Sequence, residues 1–223
     1  MNALEHVLTV VSAVVVWGLV LFVSAGRFRW VRGWLCFALY SANMLAGFVV
    51  MQAANPGLLA ERGKKHANTK RFDKFLGAVY APLMFVLPLV AGLDAVRFGW
   101  SRMGWPSFYA GLAIFILGAI PVLWSMAVNR HVEATVRIQD DRGHQVVTAG
   151  PYRFVRHPMY AGAILQIFAA PLMLSSGWAF LPAGVTALIF VIRAGLEDQT
   201  LRRKLTGYAA YGPHTLPAGP GVW

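Results

Sequence analysis

Residues 137–162 concentrate side chains that could bind and orient a polar ligand, in the sequence RIQDDRGHQVVTAGPYRFVRHPMYAG. The stretch contains an amide, imidazoles, phenols and guanidinium groups, and it leads directly into an apolar run. The sequence contains no Gly-rich phosphate loop, no nucleophile-elbow serine and no pair of histidines at i, i+4. The chemistry indicated here is therefore ligand binding in a polar pocket, without an activated serine or a helical metal pair.

Metal and thiol chemistry find little support. His131, His144 and His157 are separated by intervals of thirteen residues, too far apart to share one helical face, so we expect no metal site. Cys36 is the single cysteine and lies in an apolar run, which excludes an internal disulfide and a thiolate cluster.

The composition predicts an integral membrane protein. The chain is 57% hydrophobic and only 13% charged, with a mean hydropathy of +0.55, whereas soluble domains carry about 25% charged residues. Glu5 and His6 replace the basic start of a signal peptide, so we expect the first apolar run to be retained. We predict an all-α bundle of about six transmembrane helices, at residues 4–25, 33–53, 75–96, 106–128, 159–174 and 178–196.

These runs suggest one domain over residues 1–223. Residues 1–128 would form a four-helix scaffold, and residues 129–223 would supply a connector, a helical hairpin and a tail that carry the site. We expect the hairpin's second helix to continue to Gly207, and the Gly- and Pro-rich tail to be extended at the membrane surface, with Tyr208 and Tyr211 as interfacial anchors.

The net charge of +11 does not indicate nucleic-acid binding, because the basic residues lie between apolar runs. With six spans, fifteen of the 20 Lys and Arg residues fall on one side. The positive-inside rule then places both termini and both long polar loops in the cytoplasm, at the inner membrane if the source is bacterial.

Arg193 and Glu197 are four residues apart, so they share one face of the last predicted helix. At 1.5 Å per residue from Trp178, Arg193 lies about 22 Å along the helix, within a hydrocarbon core of ~30 Å. A buried arginine requires an anion. Glu197 could simply neutralise Arg193, or Arg193 could bind a substrate carboxylate while Glu197 binds a cationic amine or ribose hydroxyls.

The order of these residues resembles the isoprenylcysteine carboxyl methyltransferase family, which comprises integral membrane enzymes that use S-adenosylmethionine. The resemblance is carried by Gln139, residues 144–152 and 156–162, Arg193-x-x-x-Glu197-Asp198 and Tyr208-x-x-Tyr211, and more loosely by NPGLLAER and RFDK, as in bacterial-type members. It implies a cofactor pocket formed by the connector and the last two helices, in place of a Rossmann domain, which agrees with the missing G-x-G-x-x-G motif.

The resemblance also implies roles for individual residues, because each of them occupies a position of the family's motif. It implies that Arg193 binds the methyl acceptor, with Glu197 beside it. This chain departs from the family in a shorter connector between Gln139 and His144 than the eukaryotic enzymes have, and in Asp198, where a second glutamate is usual. The residues implied to hold the cofactor are Gln139, His144, Gln145, Val146, Val147, Tyr152, His157, Pro158, Met159, Tyr160 and Glu197.

The residues themselves leave some roles open. Pro158 suits the first turn of a helix, whose free N–H groups could face an anion such as the methionine carboxylate. Tyr152 and Tyr160 could cover the adenine and the sulfonium, or could be ordinary interface aromatics. His144 could contact the cofactor or merely bond a loop carbonyl, and Asn129, Arg130 and Glu133 could line the pocket or form a solvated helix end.

The predicted function is S-adenosylmethionine-dependent methyl transfer to a lipophilic or lipidated acceptor in the membrane, as carboxylate O-methylation. No nucleic acid or obligate protein partner is indicated. One alternative is an NADPH-dependent sterol or steroid reductase with an Arg-x-Pro-x-Tyr-x-Gly type segment, although Met159 stands where those enzymes usually have Asn. A non-catalytic membrane scaffold is the other.

Overall fold

The computed structural model describes residues 3–64 and 66–216 and confirms an all-helical membrane protein. Five helices are long and apolar enough to span a bilayer. The fifth predicted span, 159–174, is observed as a helix over Pro158–Leu174 with 17 residues, about 25 Å, which is shorter than the five helices long enough to span a bilayer. The helices are α1 (Ala3–Ala25), α2 (Val31–Ala54), α3 (Pro56–Arg62), α4 (Arg71–Gly92, continued by a π-helical segment, Leu93–Phe98), α5 (Trp105–Val128), α6 (Pro158–Leu174), α7 (Phe180–Lys204) and α8 (Tyr208–Tyr211).

Glycines allow α5 and α6 to pack closely. A Cβ atom built on Gly118 would lie 2.5 Å from the carbonyl oxygen of Gly162, and one on Gly162 would collide with the carbonyl oxygen of Gly118. Small residues at such contacts let two membrane helices approach along their backbones. The α5–α6 pair thereby fixes where the start of α6, and with it the 156–162 segment, lies.

The α6–α7 turn is as tight as expected and is held by a buried carboxylate. Ser175 adopts a left-handed conformation with φ of 63°. Asp94 Oδ2 accepts hydrogen bonds from the hydroxyl of Ser176 at 2.6 Å and the N–H of Trp178 at 3.1 Å. Asp94 is fully buried. The turn therefore fixes the end of α7 that is remote from Arg193.

The short helix α3 joins the first polar segment to the bundle. Its Leu58 and Leu59 are buried against Met51 of α2, with Val7 and Met126 packed alongside. Only part of the 55–74 segment is therefore solvated, because α3 turns its apolar side to the ends of the spanning helices. This places Arg62, the last residue of α3, at the same end of the bundle as the connector.

The tail differs from the prediction. The last spanning helix does continue through residue 204, and Gly207 breaks it with φ of 84°. The following residues are not extended, because Tyr208–Tyr211 form a short helix. Leu216 then pairs with the connector, donating its N–H to Phe154 O at 2.9 Å and accepting from the N–H of Arg156 at 2.8 Å. Residues 217–223, which complete the predicted tail, lie outside the described part.

Candidate functional site

A polar cavity of about 330 Å³ lies where α3, the connector, the start of α6, the second half of α7 and α8 meet. Its volume is in the range of small-molecule sites. Pro158 is buried at the first turn of α6 and does not line the cavity. The predicted site residues that do line it are Gln139, His144, Gln145, Val146, Val147, Tyr152, His157, Met159, Tyr160, Arg193 and Glu197.

Tyr160 connects the two charged residues of α7. Its hydroxyl donates a hydrogen bond to Glu197 Oε2 at 2.7 Å. The guanidinium carbon of Arg193 lies 5.5 Å from the centre of the Tyr160 ring, within the range of a cation–π contact. Tyr160 therefore presents its ring to a cation and its hydroxyl to a carboxylate, and it is not a lipid-facing interface aromatic.

Arg193 is paired with a residue that the sequence did not suggest. Its Nε donates to Asp73 Oδ1 at 2.6 Å, and its Nη2 donates to Ala134 O at 2.7 Å. The possibility that Glu197 neutralises Arg193 is therefore wrong, because the carboxylate in ion-pair contact belongs to the RFDK segment at the start of α4. Glu197 is left with the hydroxyl of Tyr160 and no ion pair among the described residues.

Gln139 and His144 belong to a compact network at the connector. The Gln139 side chain is buried and bonds His131 twice, donating to its carbonyl oxygen at 2.7 Å and meeting its Nδ1 at 3.1 Å. His144 Nδ1 accepts the backbone N–H of Gln139 at 3.3 Å. Burial, followed by the neighbouring His131, lowers the pKa of His144 to about 4. Both imidazoles are therefore neutral near pH 7, since burial also lowers the pKa of His131.

Tyr152 is held from both sides. Its hydroxyl accepts a hydrogen bond from Asn129 Nδ2 at 2.9 Å, and its carbonyl oxygen accepts one from the hydroxyl of Tyr211 at 2.5 Å. Burial raises the pKa of Tyr152 to about 12, so the phenol stays protonated. An interface aromatic would face lipid or water, whereas Tyr152 is buried.

The expectation that Tyr208 and Tyr211 are interfacial anchors is wrong, because both line the cavity. Tyr208 is buried, and its hydroxyl donates to Asp198 Oδ1 at 2.9 Å. Asp198 also receives Arg156 Nη1 at 3.2 Å and Arg202 Nε at 2.7 Å. The buried His157 has its Nε2 3.5 Å from Asp198 Oδ1. Through these contacts Asp198 holds the connector and α8 against α7 at the wall of the cavity.

Several cavity residues were missed or left undecided from the sequence. Glu133 is buried at its side chain and binds Arg137 Nε at 2.7 Å, so it is not a solvated helix end. Asn129 and Glu133 line the cavity and Arg130 does not. Arg62 and Tyr80 also line it. Only the loose NPGLLAER resemblance could have drawn attention to Arg62, and the RFDK segment to Asp73, because each is one charge among many in a polar stretch.

One group of metal-ligating types lies beside the cavity. Possible ligand atoms of Glu61, His66 and Glu133 lie within 4.8 Å of one another. Glu133 is already bonded by Arg137 and Arg142, at 2.7 and 3.2 Å, and Glu61 pairs with Lys64. Three nearby cations oppose a metal ion electrostatically, so the group is an ion-pair cluster that fastens the connector to α3.

Comparisons with known proteins agree on the type of protein. The phospholipid methyltransferase family model matches residues 106–206. A probable protein-S-isoprenylcysteine O-methyltransferase from Oryza sativa subsp. indica is 30% identical over 82 residues, 36% of this chain and 43% of that protein. Protein-S-isoprenylcysteine O-methyltransferase B from Arabidopsis thaliana is 29% identical over 148 residues, 62% of this chain and 73% of that protein. The match thus spans less than half of the rice protein.

The fold is shared with a solved structure. The eukaryotic intramembrane Ras methyltransferase ICMT (isoprenylcysteine carboxyl methyltransferase) superposes with a TM-score of 0.60 at 16% identity, covering 94% of this chain and 73% of that chain. At this identity the likeness concerns the fold alone. Together with the family model and the plant relatives, it agrees with the resemblance seen in the sequence: the chain is similar to isoprenylcysteine carboxyl methyltransferases and shares the fold of one of them.

Proposed function

We propose that the protein transfers the methyl group of S-adenosylmethionine to a carboxylate carried by a lipophilic acceptor in the membrane. The observation that carries the proposal is the convergence of connector residues, Tyr160, Arg193 and Glu197 around one polar cavity, although they come from distant parts of the chain. The names of the relatives support the methyl transfer. The cavity supports the pairing of a polar cofactor with an anionic acceptor.

The chemistry of the cavity suits this cofactor. Glu197 has no cationic partner among the described residues and can meet a positively charged amine or ribose hydroxyls. Tyr152 and Tyr160 offer aromatic faces for an adenine and a sulfonium. His157 lines the cavity at the start of α6, and the first N–H groups of α6 favour a carboxylate.

When bound, S-adenosylmethionine supplies an electrophilic methyl group on a positively charged sulfur. A carboxylate acceptor needs no general base, so the residues of this chain have to position the acceptor and exclude water. The opposite charges of donor and acceptor are partly neutralised in the transition state, and a pocket that excludes water therefore accelerates the reaction. In-line alignment by Arg193 and Tyr160 provides the remaining contribution.

A second, apolar cavity supports a lipophilic acceptor. It also measures about 330 Å³ and lies between α1, α2, α4, α6 and α7, among Trp17, Phe37, Met84 and Ile167. Tyr80 lines both cavities. The Tyr80 ring packs on Phe190 at 5.0 Å, and Phe190 packs on Tyr160 at 5.8 Å. An acceptor could therefore keep its hydrocarbon part among the helices and extend its carboxylate past Tyr80.

A phospholipid amine is the second candidate acceptor, favoured by the description of the matching family model. An ammonium acceptor would first have to lose a proton, and it would meet Arg62 and Arg193, which both line the polar cavity. These two cations oppose the approach of an ammonium group and attract a carboxylate. The carboxylate acceptor is therefore the better match.

The test is ligand binding followed by turnover in detergent solution. Calorimetry should give micromolar affinity for S-adenosylmethionine or its demethylated product and no comparable affinity for NADPH. Methyl transfer should then be measured to N-acetyl-S-farnesylcysteine and to phosphatidylethanolamine. Tight NADPH binding without binding of S-adenosylmethionine would support the reductase. Methyl transfer to phosphatidylethanolamine alone would mean that the acceptor is an amine and not a carboxylate. Failure to bind either cofactor would leave a scaffold role.

A further inference from the structure

Arg62 is the exception among the arginines of the polar cavity. Four arginines line it: Arg62, Arg137, Arg156 and Arg193. The last three each have a carboxylate oxygen within 3.2 Å. No carboxylate among the described residues pairs with Arg62. Its one hydrogen bond in that part of the chain runs from Nη1 to the carbonyl oxygen of Val132, at 2.6 Å.

The carboxylates that pair with Arg137 and Arg193 are already engaged. Glu133 accepts from Arg137 and Arg142. Asp73 accepts from Arg193 and from the N–H of Val136. The polar cavity therefore carries an unpaired guanidinium on α3 and an unpaired carboxylate, Glu197, on α7. A ligand pair consisting of a cationic cofactor and an anionic acceptor would compensate both.

An unpaired guanidinium in this position is unfavourable without a ligand. Arg62 is partly buried, and this burial, followed by repulsion from Arg193, lowers the pKa of its guanidinium. Removing a charge from water is costly unless an opposite charge and hydrogen bonds replace the lost hydration. Four of the five N–H donors of Arg62 make no hydrogen bond in the described part of the chain and are available to an anion.

We propose that Arg62 binds the carboxylate of the methyl acceptor and determines the preference for acidic acceptors. This inference rests on the proposed function. Arg193, whose charge Asp73 already balances, then positions the same group through its remaining Nη1. Arg62 therefore supplies the positive charge that balances the acceptor carboxylate, and Arg193 orients that carboxylate.

The position of Arg62 favours the acceptor over the cofactor as the source of this carboxylate. Leu58 and Leu59 of the same helix pack against Met51 and other residues of the spanning helices, so Arg62 lies where those helices reach the polar end. A lipid-borne head group arrives at this level. The carboxylate of the cofactor has its own matching groups at the start of α6, around His157.

A purely structural role for Arg62 makes a different prediction. The bond to Val132 fastens α3 to the connector, and its loss would weaken the whole site. In that case, substitution would reduce the affinities for acidic and neutral acceptors by the same factor. The ratio of the two affinities is therefore the informative quantity.

The experiment compares N-acetyl-S-farnesylcysteine with its carboxamide, in the presence of the demethylated cofactor. Wild-type protein should bind the acid more tightly, by roughly 10- to 150-fold, as expected for charge-assisted hydrogen bonds. Arg62→Gln should bring this ratio close to one while the Kd of the carboxamide and of the cofactor stays within about twofold. Lys64→Gln, which removes an exposed cation of the same segment paired with Glu61, should retain the preference.

The outcomes separate the two proposals. An unchanged acid preference in Arg62→Gln would overturn the role of Arg62 while leaving methyl transfer intact, as would a selective loss of cofactor affinity. Wild-type protein that binds neither farnesyl compound would contradict the proposed function itself. Wild-type protein that binds both compounds equally would overturn the role of Arg62.

A second measurement uses the unaltered protein, in case Arg62→Gln does not fold. Phenylglyoxal modifies guanidinium groups, and mass spectrometry locates the modified residue. The farnesylated acid should slow modification of Arg62 at least severalfold, and the carboxamide should not. Equal protection by both compounds, or by neither, would overturn the inference.

Discussion

Asp73 joins α4, α7 and the connector through one carboxylate. Oδ1 accepts the Nε–H of Arg193 at 2.6 Å, and Oδ2 accepts the backbone N–H of Val136 at 2.9 Å. Only 3% of the Asp73 side chain and 20% of the Arg193 side chain are exposed. Because both side chains are largely buried, removing either one leaves the charge of the other without a partner and destabilises the folded protein.

The first prediction concerns this pair. Asp73→Asn should lower the melting temperature by about 5–10 °C, because it leaves the Arg193 charge without its partner. Arg193→Gln should also destabilise, and the double substitution should be more stable than the sum of the two losses predicts. The measurement is thermal unfolding of all four proteins with cofactor present. Additive losses would mean that the ion pair contributes nothing.

The second prediction separates the two roles on α7. Glu197→Gln keeps an acceptor for the hydroxyl of Tyr160 but removes the charge, so it should weaken S-adenosylmethionine binding by roughly 10- to 150-fold. Arg193→Gln should instead raise the acceptor KM or lower kcat, with nearly unchanged cofactor affinity. Calorimetry and steady-state kinetics distinguish the two.

Tyr160→Phe is the control for Glu197→Gln. It removes the hydroxyl that donates to Glu197 and leaves the carboxylate charge in place. If Tyr160→Phe weakens cofactor binding as much as Glu197→Gln does, the charge of Glu197 is not the cause.

The helices could be predicted from the sequence because apolar runs in a membrane must be helical, with every backbone group bonded internally. The predicted site residues were also placed around one cavity by the fold, except for Pro158. Partners could not be predicted in the same way. Asp73 lies 120 positions before Arg193, and nothing in its local sequence distinguishes it from a solvated carboxylate.

The structure of the tail, like the partner of Arg193, could not be predicted from the local sequence. Its glycines and prolines predict irregular structure, but the hydrogen bond from the Tyr211 hydroxyl to Tyr152 O and the pairing of Leu216 with the connector depend on distant segments. Tertiary contacts of this kind override local propensity. The motif indicated that Tyr208 and Tyr211 matter, but only the fold assigns them to the cavity wall.

The third prediction follows from the buried imidazole of His144. Its pKa of about 4 in the folded protein lies below the value of about 6.5 for an unfolded chain. Between these values the unfolded state binds more protons, so this contribution to stability is complete above pH ~6.5 and is lost as the pH falls towards 4. Wild-type protein should therefore melt at a lower temperature at pH 5 than at pH 7.5.

His144→Asn tests the assignment, because the Asn side-chain oxygen can replace Nδ1 as acceptor for the N–H of Gln139. The drop in melting temperature between pH 7.5 and pH 5 should be smaller in this variant than in the wild-type protein. An identical drop in His144→Asn and wild type would show that another group titrates.

The last prediction concerns the orientation of the bundle, which rests on the asymmetric distribution of Lys and Arg. Cys36 is fully buried and can be replaced in a Cys36→Ala background. Cysteines introduced at Arg142 or Thr215 should then react with a membrane-impermeant maleimide only when the cytoplasmic face is open. A cysteine at Lys65, which lies outside the described residues, should react in the same way. Arg102→Cys, in the exposed loop before α5, is the matched control and should react in intact cells. Reaction of Arg142→Cys from outside intact cells would place the polar cavity on the opposite side of the membrane, where a cytoplasmic cofactor could not reach it.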